Sequence, residues 1–362
     1  MCGASRDRPA AGRAVTAFGF AGDVSEGSGS AKRFAHTGAV VRRLQGGAPL
    51  LLVRGAGALA ALHRLVSQDV AGLGAGATAR ALLLSPKGRC RFPLLVGRVG
   101  EDVVLLGPEG SGDALRASLG RYLALSRLGA EPFFPAGAAA EILGAGWPGV
   151  LVRAGLVQEH LAEAGVAVTA AEGRQLVAFG RTVEGRPGAT LVAEDGQALD
   201  VVLGRLAAVG VEDPGEEAVE VARIVAGFPR WGKEITEDAL PQEVGLADGW
   251  VSLAKGCYPG QETMARLRTY GHVNRALTGL RQLDGVAEPP PLPLELRDVD
   301  TGSRRGVLTS WGRHPQLGGV GLGLVRREVA AGSCLAGAER RFQVVPLPLL
   351  PGEAAGGLPE PP

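Results

Sequence analysis

The sequence predicts an α+β chain in which two mixed portions precede a small C-terminal β-barrel. Three observations carry this. From about residue 38 to 230, short apolar runs alternate with segments of helical spacing. After residue 275 the helical spacing stops, and short apolar stretches follow one another between turn signals. At 362 residues the chain exceeds one ordinary core, which favours division into domains.

The expected boundaries follow the composition. Residues 1–35 lack periodicity and predict a flexible extension, 36–137 a first α+β domain, and 138–274 a second. Residues 275–345 predict the barrel, and the Pro/Gly-rich 346–362 a disordered tail.

In the first portion PLLLVRG is an apolar run closed by Gly55, and ALAALHRLVSQDV has helical spacing. ARALLLS and CRFPLLVGRV flank the turn SPKGR, and VVLLG completes an antiparallel meander. SGDALRASLGRYLAL predicts a helix with Ser111 or Asp113 as its N-cap. The second portion predicts a strand near GVLV, a helix at VQEHLAEAG, strands at QLVAFGRTV and ATLVAE, and helices at ALDVVLGRL and GEEAVEVARIVAG. RIVAGFPRWGKEITEDALPQEVGL has a Gly or Pro every few residues among buried-type side chains, the pattern of an ordered loop. RALTGLRQL, PLELRD, SRRGVLTSW and GVGLGLVRR supply strands for the barrel.

The 38 basic and 37 acidic residues leave a formal charge of +1, so no long-range field gathers nucleic acid or an anionic membrane. No apolar run of the roughly 18 residues that a membrane helix needs is present. Cys2, Cys90, Cys257 and Cys334 are far apart, with no CxxC pair and no Cys/His cluster at metal-ligand spacing, so no metal ligands are assigned. Widely spaced thiols and the lack of a secretory apolar core predict a cytoplasmic protein.

The densest chemistry is KGCYPGQETMAR, residues 255–266. A helix starting near Pro259 suits the sequence, since proline is welcome in a first turn. Cys257 then falls at or just before the helix N-terminus, where the dipole and Lys255 favour a thiolate. The alternative is that Cys257 is a small buried apolar residue. Glu262 and Arg266 are spaced i,i+4, which makes either an intrahelical ion pair or a grip on a polar ligand. Glu234, Glu237, Asp238 and Glu243 form an acidic cluster, either paired carboxylates or a solvated loop. GAGALAAL lacks the third glycine of a dinucleotide fingerprint, and neither a Walker lysine nor a GxSxG elbow is present.

KGCYPGQETMAR closely resembles the KGCYxGQE signature of the YgfZ-type folate-binding proteins, relatives of the glycine cleavage T-protein, an aminomethyltransferase. RIVAGFPRWGKEITEDALPQEVGL resembles the superfamily's Arg-x-x-x-Gly-x-Pro segment, and LVSQDV with LLLSPKGR adds support, so the resemblance covers roughly residues 38–340. It implies a ring-like, three-part architecture around a folate-sized channel. It also implies tetrahydrofolate as cofactor, and iron–sulfur enzymes or their assembly factors as partners, with Cys257 as the working thiol. Arg223, Lys255, Tyr258, Gln261, Glu262 and Arg266 become candidates for the adjoining pocket.

Two departures stand out. Where T-proteins carry consecutive acidic residues after the PKG-like turn, this chain has Phe92-Pro93, and neither side chain can hold a folate amine or relay a proton. Where many relatives have Glu in RIEAG, it has Val225, which removes an acceptor for a pterin's amino and N–H groups. The expected function is therefore a folate-binding accessory protein for iron–sulfur enzymes. A tetrahydrofolate-dependent one-carbon transferase and a scaffold that binds partners without folate remain as alternatives.

Overall fold

The computed structural model describes residues 38–286 and 288–350, so the extension expected at 1–35 and the tail beyond 350 lie outside the described residues. The chain begins with β1 (Val40–Leu44), β2 (Leu50–Val53), α1 (Ala58–His63), β3 (Thr78–Leu84), β4 (Cys90–Val99), β5 (Asp102–Leu106), α2 (Gly112–Leu123) and β6 (Glu131–Pro132). It continues with β7 (Ala138–Leu143), α3 (Trp147–Arg153), β8 (Val166–Ala171), β9 (Arg174–Val183), β10 (Arg186–Ala193), α4 (Gly196–Ala208) and α5 (Glu216–Ala226). After a long loop come α6 (Gln261–Tyr270), β11 (Arg275–Gln282), β12 (Leu294–Asp298), β13 (Arg304–His314), β14 (Gly318–Arg326), β15 (Cys334–Gly337) and β16 (Arg340–Val345).

Two five-stranded antiparallel sheets form, ordered β3-β4-β5-β2-β6 and β1-β7-β10-β9-β8. They pack face to face, with Leu50, Leu52, Leu95 and Val104 of one meeting Val166, Val177, Phe179 and Val192 of the other. Leu62, Leu115 and Leu119 on α1 and α2 cover the outer face of the first sheet. Val150, Leu199 and Leu206 on α3 and α4 cover the outer face of the second. The layers therefore run helix, sheet, sheet, helix, the arrangement that buries both faces of each sheet. Residues 275–345 close into a six-stranded barrel, β11-β14-β13-β12-β15-β16, against which α5 lays Ile224 beside Val320 and Leu322.

Several elements differ from expectation. β1 pairs with β7 and so joins the second sheet, across the boundary drawn at 137/138. GVLV lies within helix α3: its apolar residues Val150 and Leu151 pack inward, and a short apolar run reads the same as strand or buried helix. VQEHLAEAG is not helical, because its end serves as sheet edge, with Ala164 O accepting from Thr78 N at 2.7 Å and Gly165 O from Gly180 N at 2.9 Å. The helix expected through LVSQDV stops at His63, whose carbonyl has another partner, described below. Ser111 sits at the N-cap of α2, but its hydroxyl donates back to Pro108 O at 2.8 Å and does not cap.

Candidate functional site

Between the two sheets, beyond the end of their shared core, lies a cavity of about 300 Å³. This is the lower end of the range small-molecule sites occupy. Its charged wall follows from strand periodicity. Leu44, Ala139, Phe179 and Val192 face the inter-sheet core, and two residues along each strand the same face presents Arg42, Glu141, Arg181 and Thr190 to the cavity. Register joins them, since Glu141 lies opposite both Arg42 and Thr190.

The wall is internally paired. Arg42 Nη2 donates to Glu141 at 2.7 Å and to Glu184 at 3.0 Å, and Arg181 donates to Glu141 at 2.5 Å and to Thr190 at 2.7 Å. Burial works against the charge on Arg42 and Glu141. Their mutual attraction, with Glu184 and Arg181, outweighs it, raising the guanidinium and lowering the carboxyl. Burial pushes the Glu184 carboxyl up, aided by Glu141 and opposed by Arg230 and Arg42.

The opposite wall is apolar and aromatic: Pro93 and Leu95 from β4, and Phe228, Trp231, Ile235, Leu246 and Trp250 from the loop after α5. Arg223 explains how this loop is held. It is fully buried, clasps Glu220 through two hydrogen bonds at 2.6 and 3.0 Å, and donates to Phe228 O at 2.6 Å, across the left-handed cap Gly227. Its Nη1 also meets Glu234 at 2.9 Å. Glu234 in turn receives Arg230 N at 3.0 Å, Thr309 at 2.7 Å and Ser310 at 2.6 Å. The Arg-x-x-x-Gly-x-Pro segment is thus a clamp that turns Phe228, Pro229, Arg230 and Trp231 towards the cavity and ties them to the barrel. Arg223 positions this wall and does not line it. Burial opposes the Glu220 carboxylate, but hydrogen bonds and charge from Arg223, with Arg230 and Lys233, hold it at about 2.

Phe92 is buried and stacks on Trp231 with ring centroids 5.6 Å apart, while Trp231 Nε1 donates to Arg91 O at 2.8 Å. The apolar replacement at 92–93 therefore buttresses one aromatic wall residue and contributes a second wall element, Pro93. Val225 is buried outside the cavity lining. The acidic cluster divides: Glu234 and Glu243 are buried joints, the latter meeting Arg275 at 3.0 Å, whereas Glu237 and Asp238 are exposed.

The signature segment stands outside this cavity. None of Lys255, Cys257, Tyr258, Gln261, Glu262 and Arg266 lines it. Lys255 is buried, and its ammonium donates to the carbonyl of His63, at the end of α1, and to those of Val66 (2.6 Å) and Gln68 (3.2 Å) in the segment that follows. Desolvation lowers this ammonium to about 8, with Asp69 partly offsetting it. Ser67 Oγ donates to Trp250 O at 2.6 Å and Gln68 Nε2 to Gly249 O at 2.9 Å, so LVSQDV also fixes the turn carrying Trp250. Tyr258 packs in the cluster containing Ile235 and Leu246, which line the cavity from their other side.

Helix α6 begins at Gln261, later than expected, because Gly260 takes φ +85° as its cap. A Cβ there would lie 2.7 Å from Ser85 O and 2.8 Å from Gly88 Cα, so the SPKGR turn and the signature touch backbone to backbone. Cys257 is exposed on the loop before this cap, and the buried apolar alternative does not hold. Gln261 Nε2 reaches Lys255 O at 3.3 Å, and Glu262 pairs with Arg266 on the solvent face of the helix.

Sequence reasoning missed Arg42, Glu141, Arg181, Glu184, Arg230 and both cavity tryptophans. One signal was available: Arg42, next to Arg43, and Glu141 interrupt the apolar runs of VVRRL and AAAEIL, where buried charge is tolerated only when paired.

An aminomethyltransferase of Staphylococcus carnosus is 27% identical over 158 residues, covering 43% of this chain and 42% of that protein. The tRNA-modifying protein YgfZ of Edwardsiella ictaluri is 42% identical over 89 residues, 24% of this chain and 26% of that one. The chain is thus similar in sequence both to aminomethyltransferases and to YgfZ. The T-protein fold itself is seen in the glycine cleavage system aminomethyltransferase T from Bartonella henselae. It superimposes with a TM-score of 0.74 at 23% identity, over 89% of this chain and 90% of that one. The chain spans less than half the length of the curated relatives it matches. No protein-family model matches the chain.

Proposed function

We propose that the cavity holds a tetrahydrofolate-class ligand and that the chain serves iron–sulfur enzymes as an accessory protein, with Cys257 as its reactive thiol. The observation that carries this reading is the cavity's division into an aromatic wall of Phe228, Trp231 and Trp250 and a polar wall whose arginines and glutamates neutralise one another. Such a site suits a flat, largely uncharged heterocycle, which stacks on one side and exchanges hydrogen bonds on the other. Thr182, Thr190 and Arg181 offer the polar contacts. Three unpaired cysteines, Cys90, Cys257 and Cys334, suit a reducing cytoplasmic setting.

Cys257 alone does not hold a cluster, which takes about four thiolates. Its role is to lend a thiol to a client or to bridge a cluster between chains. Replacing Cys257 with alanine tests this: cells carrying the variant should lose activity of [4Fe–4S] enzymes under oxidative stress. Unchanged activity would refute the thiol's part.

One-carbon transfer by the T-protein route is the weaker reading, because Phe92 and Pro93 stand where the acidic residues would. Incubation with tetrahydrofolate and an aminomethyl donor should yield no methylene-tetrahydrofolate. A scaffold acting without folate would give no heat on titration with tetrahydrofolate, where the proposal expects micromolar binding.

A further inference from the structure

Arg80 carries an inference that rests on the folate reading and deepens it. Four arginines line the cavity. Arg42, Arg181 and Arg230 each pair with glutamates within 3.1 Å. Arg80, exposed on the edge strand β3, is the one lining arginine without a carboxylate partner among the described residues. Its guanidinium lies over the Trp250 ring, 5.8 Å from the centroid. The turn beneath is fixed by Ser67 and Gln68, and a Cβ on Gly249 would lie 3.4 Å from Nη2 of Arg80.

The remaining lining carboxylate outside an ion pair, Glu109, does not neutralise it. Arg80 lies opposite Leu95, and Leu95 opposite Leu106, so one cross-strand row runs from Arg80 to Leu106. Two strand spacings make about 10 Å. Glu109 lies beyond Leu106 and accepts from Gly46 N at 2.9 Å. The cavity therefore has one uncompensated positive end.

We propose that Arg80, placed over the Trp250 ring, binds the carboxylate tail of the ligand whose ring occupies the cavity, and so selects conjugates of a ring with an acidic amino acid over the bare ring. A planar guanidinium resting on an indole keeps its fork of N–H groups free for a carboxylate. The contact with Trp250 restricts the side chain before the ligand arrives, which lowers the ordering cost of binding.

The test compares tetrahydropterin, which has no tail, with tetrahydrofolate by calorimetry, on the wild-type chain and on Arg80→Gln. Wild type should prefer tetrahydrofolate by about tenfold or more, the value of one charge-assisted contact. In Arg80→Gln that preference should collapse while tetrahydropterin affinity stays unchanged, which also shows that the cavity remains intact. An undiminished preference, or an equal loss for both ligands, overturns the role of Arg80 and leaves the folate reading standing. If neither ligand binds the wild-type chain, both fall.

Discussion

Lys255 donates from Nζ to the carbonyl of Val66 at 2.6 Å, joining two segments 189 residues apart in sequence. With the His63 and Gln68 carbonyls, it ends one helix and seats the loop that leads to Cys257. The signature lysine is therefore a structural clasp between the first sheet's outer helix and the thiol loop.

Replacing Lys255 with methionine leaves those carbonyls without a donor and should lower the unfolding free energy by about 3 kcal/mol, the range for charged hydrogen bonds at a buried site. Urea denaturation measures it. A change below about 0.5 kcal/mol, the scale of ordinary surface substitutions, would show that water replaces the ammonium readily.

Gly260→Ala places a methyl group against Ser85 O and Gly88 Cα at a positive φ. Both neighbours are backbone and cannot swing aside, so overpacking and strain together should cost about 2–4 kcal/mol. Gly256→Ala, whose Cβ meets nothing within 4 Å, is the control and should cost far less. Equal thermal shifts for the two would contradict the backbone contact.

Acid sensitivity should come from the Arg223 clamp. Glu220 titrates near 4.5 when unfolded and near 2 when folded, so its stabilising effect is complete above the first value and is lost as pH falls to the second. The difference corresponds to about 3 kcal/mol. Glu184, raised by burial, acts in the opposite sense, so the contribution is isolated by comparing wild type with Glu220→Gln. The variant should show a flatter decline in stability across that window, and parallel curves would refute the clamp's role.

Thiol reactivity should separate sharply within the native chain. Cys257 is exposed, whereas Cys90 is buried and pushed up to about 12 by desolvation, with Glu243 adding to the shift. Alkylation followed by peptide mapping should label Cys257 quickly and Cys90 only on unfolding. Comparable rates would mean that the first sheet opens far more readily than its packing implies.

The barrel, the first meander and the β9–β10 hairpin were legible because alternation and turn residues report directly on strands. The residues of α3 and the sheet membership of β1 were not, since a run of four apolar residues fits either structure and sheet partners are set by tertiary contacts. KGCYPGQETMAR located the thiol loop, and position 260 required its glycine, but spacing could not show that α6 faces away from the cavity. Arg223 is instructive: the motif marked it as important, while its burial shows that it acts on the wall through Phe228 and Glu234. The cavity's own arginines lie on three different strands and one loop, and only the folded register brings them together.

A crystal structure of the chain with tetrahydrofolate shows whether the cavity is the folate site. Density for the pterin ring is expected in the cavity, against Trp231 or Phe228 on one side and Arg181 and Thr190 on the other, with the tail leaving past Arg80. An empty cavity at saturating ligand, or density seated elsewhere, would contradict it.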